Sequence, residues 1–103
     1  MKATVIAVRE LICTAEPGRG LTVTLYKPVP NRKTGDCMCS FQINGRGLSR
    51  NRFAAGVDAF QALQLALLMI GAEIAQIERA SGIHLIFGDL QNSGFRSDGH
   101  SGT

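Results

Sequence analysis

Three groups of residues in this 103-residue chain have types and spacings that can do chemistry: the thiols of Cys37-x-Cys39, the imidazole of His84, and a run of cations from Lys27 to Arg52. Residues two apart on a strand point to the same face, so both thiols can reach one metal ion, with Cys13 or His84 as outside ligands. Metal sites of this kind use Cys-x-x-Cys, usually with a second pair, and the sequence has neither. Alpha-carbons two apart on a strand lie about 6.7 Å from each other, a poor fit to a relaxed disulfide. The expected role of both thiols is core packing. A reactive thiol would need Arg50 or Arg52 beside it to lower its pKa.

His84 and His100 have no carboxylate or serine at a local spacing that would make either a general base. Asp58 is accounted for as a helix cap, and Glu73 and Glu78 as the wet side of a helix. Gly45-Arg46-Gly47 is too short for a phosphate loop and does not lead from a strand into a helix. The residues therefore imply no enzyme, no cofactor and no metal.

Lys27, Arg32, Lys33, Arg46, Arg50 and Arg52 stand against Asp36 alone between residues 27 and 52, whereas the second half of the chain is mildly acidic. Such a segment can line phosphates, with Tyr26 stacking on a base. Aromatic residues are only 6% of the chain, and no ribonucleoprotein-type aromatic motif is present, so a solvated surface is the first reading. Nucleic-acid binding through Lys27 to Arg52 is the alternative.

These residues have to be positioned by a small set of elements. Asp58 precedes Gln61 by three residues, a spacing that satisfies orphan amides at a helix start. From there Phe60, Leu63, Leu67, Ile70, Ile74 and Ile77 recur at steps of three and four and predict one buried face. Ser81-Gly82 is the exit, with Arg79 near the negative end of the helix dipole. Leu65, Leu68 and Met69 add a second apolar surface beyond what one face of a sheet needs, to be buried either deep within the domain itself or against another subunit. Gly71 in mid-helix implies close packing there. Gln64, Glu73 and Gln76 interrupt the apolar run, so no membrane span is expected.

Ahead of the helix the chain reads as strands. Thr4 to Cys13 is rich in Val and Ile, and the charges in MKATVIAVRE argue for a strand and against a secretion signal. Leu21, Val23 and Leu25 alternate with Thr22, Thr24 and Tyr26. Pro28 to Asp36 is a polar loop. Cys37, Cys39, Phe41 and Ile43 alternate with Met38, Ser40 and Gln42, and Asn44-Gly45 signals a hairpin. A two-residue turn at Asn44-Gly45 sets Arg50 and Arg52 on the apolar face. A bulge near Gly47 would turn both outward and bring Phe53 inward, and the cost of burying unpaired guanidinium groups favours the bulge. After the helix, Ile83, Leu85 and Phe87 form a short last strand.

The sum is an α+β domain over residues 1–90: an antiparallel meander sheet of about four strands, one long helix packed across it, and a short C-terminal strand. Residues 91–103, polar apart from Phe95, read as a disordered tail with Phe95 against the body. The blocks DCMCSFQI and GVDAFQALQLALLMIGAEI, followed by the strand Leu85 to Gly88, resemble a family of small bacterial proteins of unknown function with a GVDAxQALQLAL-type helix. The resemblance spans residues 36 to 90, and this chain has His84 and Ile86 where an aromatic is expected. It implies the architecture and a bacterial source and no catalytic residue. Three cysteines and the lack of a secretion-signal pattern lead us to expect a cytoplasmic protein.

The function expected is a non-enzymatic protein-interaction module, of the accessory or toxin-neutralising type by analogy of build, acting as a homodimer. Its partner-binding residues are expected at Leu65, Leu68 and Met69 on the helix, with Arg46, Arg50 and Arg52 on the basic segment.

Overall fold

The computed structural model describes residues 3–96. Strands β1 (Val5–Cys13), β2 (Leu21–Tyr26), β3 (Val29–Pro30), β4 (Cys37–Gly45) and β5 (Leu48–Gly56) precede helix α1 (Ala59–Ser81), and β6 (Leu85–Ile86) follows it. All pairings are antiparallel. β1 pairs with β2, β2 with β4, and β4 with β5, while the short β3 extends β2 along the same edge of β4. β6 returns to the far side of the sheet and pairs with β1 at Ile12 and Cys13. This is the expected meander with one helix across it and a short last strand.

Register explains the core. Leu11 lies opposite Leu21, Val23 opposite Ile43, Leu25 opposite Phe41, and Cys39 opposite Ala54. Each of these side chains is buried, so they share the face that α1 covers. The alternating residues, Thr22, Thr24 and Gln42 among them, take the outer face, as period-two patterning requires.

The helix starts as its sequence predicts. Asp58 Oδ1 accepts from the Gln61 amide at 2.8 Å, and Gln61 Oε1 accepts from the Val57 amide at 2.8 Å. Gly82 closes it in the left-handed region (φ 64°), where the absence of a Cβ removes the penalty. Gly56 permits the strand-to-helix approach: a Cβ there would lie 2.4 Å from the Ala62 nitrogen. By length and composition α1 is able to cross a membrane, yet one of its sides carries this domain's core.

The buried stripe is not the expected one. Ala62, Ala66, Ile70, Gly71, Ile74 and Ile77 are buried, Leu63 is half-buried, and Phe60 and Leu67 are 78% and 40% exposed. Two alanines let the helix settle close to β4 and β5, which turns Phe60 and Leu67 onto its flank. Gly71 is buried, as its mid-helix position implied.

The bulge expected near Gly47 is also absent, and the hairpin turn moves on by two residues. Gly45 pairs with Leu48, and the turn is Arg46-Gly47, both at positive φ (53° and 79°), which suits the twist of a two-residue hairpin. Ile43 therefore faces Arg50 and Phe41 faces Arg52, so both arginines sit on the helix side and Phe53 points outward, 53% exposed. The last strand is only two residues long, and part of the proline loop forms β3.

Of the tail expected from Gln91, residues 97–103 lie outside the described residues. Residues 91–96 run against the body: Ser93 is buried, Phe95 is half-buried against the core, and the Asn92 carbonyl accepts from the Phe87 amide at 3.0 Å.

Candidate interaction surface

The sheet's helix side carries three arginines at the margins of the core, and each is engaged within the domain. Arg50 reaches Glu73 at 2.6 Å and donates to Gln76 Oε1 at 2.9 Å. Arg52 reaches the other oxygen of the same carboxylate at 2.7 Å. Glu73, expected on the wet side of the helix, is thus the counter-ion that makes the unbulged register tolerable. Arg9, on β1, lies over the rings of Phe87 and Phe95 at 4.0 and 4.8 Å and donates to the Ser93 carbonyl at 3.3 Å. That arrangement pins residues 93–95 to the sheet through cation–π contact. Sequence reasoning missed Arg9; its parity with Ala7, Leu11 and Cys13 was the available signal.

Arg46 is the third of the basic residues expected at a partner. It meets Glu16 at 2.9 Å and donates to the Arg19 carbonyl at 3.0 Å. The Arg46 hydrogen bond, followed by the nearby Arg19 charge, holds the Glu16 carboxyl below its ordinary range. Arg46, Arg50 and Arg52 therefore form no common free basic patch: one tethers a turn and two clamp the helix. Lys27, Arg32 and Lys33 remain exposed around the β2–β4 connection.

The thiols are packed into the helix side. Cys13 and Cys39 are buried and Cys37 is half-buried. Burial pushes the Cys39 thiol upward in pKa, and its Sγ lies 3.4 Å from the Tyr26 carbonyl, which it can serve as a weak donor. His84 is exposed at the end of the helix, its Nε2 2.6 Å from the Gln91 carbonyl and its Nδ1 3.5 Å from Glu78. Glu78 itself accepts from the Leu85 amide at 2.9 Å and so holds β6 to the helix end. Among the described residues no three His, Cys, Asp or Glu gather as a metal-ligand set.

Apolar side chains are also left uncommitted. Just before the helix Val57 is 75% exposed, and on it Phe60 is 78% exposed, Leu65 and Leu67 about half as much, and Leu68 and Met69 half-buried. Met69 packs against the core, so the second face expected at Leu65, Leu68 and Met69 is narrower than its sequence suggests. On β1, Val5, Ile6 and Val8 are each about half exposed. Beside the helix lies an open groove of about 640 Å³, bordered by Gln64, Leu67 and Leu68 on one side and by Arg9 and Phe95 on the other.

Fold and surface together define a small α+β domain whose helix-side arginines are engaged internally and whose apolar margins are uncovered. The chain belongs to the family described as Domain of unknown function (DUF6968), whose model matches residues 7–97. No curated protein and no solved structure matches it.

Proposed function

We propose that this domain is a non-enzymatic protein-interaction module of the bacterial cytoplasm, accessory or toxin-neutralising in type, that works as a homodimer. The observation that carries this reading is the contrast between committed charges and uncommitted apolar side chains. Arg46, Arg50, Arg52 and Arg9 are each engaged inside the domain, while Val57, Phe60, Leu67, Val5, Ile6 and Val8 remain in water. Apolar side chains grouped at the margins of a fold are the usual mark of a protein partner. Sedimentation velocity from about 1 to about 100 µM, the span in which modest interfaces associate, tests the reading. A dimer forming across that range supports it, and a monomer throughout removes its basis.

A second reading, nucleic-acid contact, draws on the exposed Lys27, Arg32 and Lys33. It predicts binding that falls steeply with added salt and weakens when these three become alanine. Binding that ignores salt would rule it out.

A further inference from the structure

We infer that the outer edge of β1, from Val5 to Val8, is where two copies of this domain join, β1 pairing antiparallel with β1 of the second copy. The inference rests on the homodimer reading and names its surface. β1 has β2 on one side along its length, but β6 covers its other side only at Ile12 and Cys13. Among the described residues, no strand or loop backbone pairs with that outer edge from Val5 to Leu11. Unpaired amide and carbonyl groups in a row are a template for another strand.

The two margins of the sheet are treated differently. β5, at the opposite margin, carries Arg50, Asn51 and Arg52 and is clamped to the helix through Glu73. Charged side chains on an edge are a common protection against added strands. β1 offers Val5-Ile6-Ala7-Val8, without a charge before Arg9, and three of these side chains are half exposed. An edge guarded at one margin and left apolar at the other points to use of the second.

The sequence of β1 also selects a second copy as the occupant. In a two-fold antiparallel pair the central residue faces itself. Registers centred on Ile6 or Ala7 set the central residues apolar against apolar, whereas centring on Arg9 or Glu10 would set like charges face to face. A two-fold axis perpendicular to the sheet keeps both helices on one side. Leu67, which lines a cleft of about 160 Å³ together with Ala7 and Val8, then faces the other copy. The register shift between Val5 and Ala7 bends the strand, so the shared ladder is short and the association moderate.

The test compares three proteins by sedimentation velocity: wild type, Ile6→Lys/Val8→Lys, and Leu65→Ser/Leu68→Ser. The wild type is expected to dimerise. The edge variant should raise the dissociation constant at least about tenfold with an unchanged circular dichroism spectrum, and the helix variant should dimerise as wild type does. A dimer that persists in the edge variant, or is lost in the helix variant instead, overturns the β1 edge and leaves the homodimer standing. A wild type monomeric at every concentration overturns both. Should the lysines unfold the domain, hydrogen exchange on the wild type decides. Protection of residues 5–8 that grows with protein concentration supports the edge, and protection independent of concentration refutes it.

Discussion

Replacing Glu73 by glutamine removes the one carboxylate that holds two arginines on the helix side of the sheet. Arg50 and Glu73 are 2.6 Å apart with side chains 26% and 17% exposed, a charge-assisted bond largely out of water. Such a bond contributes about 1.5 to 3 kcal/mol. Arg52 meets the same carboxylate at 2.7 Å but is 52% exposed, which places it nearer the surface-pair range of about 0.2 to 1 kcal/mol. Glutamine keeps the shape and one acceptor, so the net loss for Glu73→Gln should be about 2 kcal/mol. For a domain near 100 residues this lowers Tm by roughly 8 to 16 °C. Urea or thermal unfolding of the single and double variants apportions the loss. The Arg50–Glu73 coupling should exceed about 1 kcal/mol and the Arg52–Glu73 coupling should fall below it. A Glu73→Gln protein within about 0.5 kcal/mol of wild type, with no coupling to Arg50, would mean that the arginines point outward and the hairpin is bulged.

Three further outcomes follow from other parts of the fold. Gly56→Ala should cost about 1 to 3 kcal/mol in chemical denaturation, because the added Cβ would sit 2.4 Å from the Ala62 nitrogen; an unchanged midpoint would show that the strand-to-helix approach is looser. In a thiol-labelling time course on the folded protein, half-buried Cys37 should react first, and Cys13 and Cys39 only as the domain opens; prompt labelling of Cys39 would contradict its burial. Glu16 has a folded pKa below its unfolded value, so its pairing with Arg46 stabilises above the usual carboxylate range and is lost as pH falls through the folded value. A Glu16→Gln variant should accordingly show a smaller loss of Tm on acidification than wild type, and parallel pH profiles would dismiss the pairing.

Local chemistry made much of the fold legible. Asp58 and Gln61 announced the helix start, Gly82 its end, and the alternation at Leu21 to Tyr26 and Cys37 to Ile43 gave two strands with the correct faces. The helix stripe was legible at Ile70, Ile74 and Ile77 but not at its first half. There the contact is made by Ala62 and Ala66, whose small side chains leave little mark on a pattern of large apolar residues, while Phe60 and Leu67 mark the wrong side. The hairpin failed for a related reason. Burying Arg50 and Arg52 looked prohibitive because their counter-ion is more than twenty residues away, and only folding brings Glu73 to them. The pair Glu73 and Gln76, one helical turn apart, was the trace of that arrangement in the sequence.

The basic segment shows how composition can mislead about a site. Six cations against one acid between residues 27 and 52 read as a patch, but the fold sends Arg46 to Glu16 and two others to Glu73. The margins of the sheet carry no sequence signature of their own. β1 becomes an edge because β6 is only two residues long, a length that the alternation of Ile83, Leu85 and Phe87 did not betray.

Native mass spectrometry at low micromolar concentration tests the central claim most directly, because it weighs the assembly and anything bound to it at once. The account predicts a species of two chains, with its share rising with concentration and no nucleic acid attached. A single-chain species at every concentration, or one that travels with nucleic acid and is stripped by salt, would contradict it.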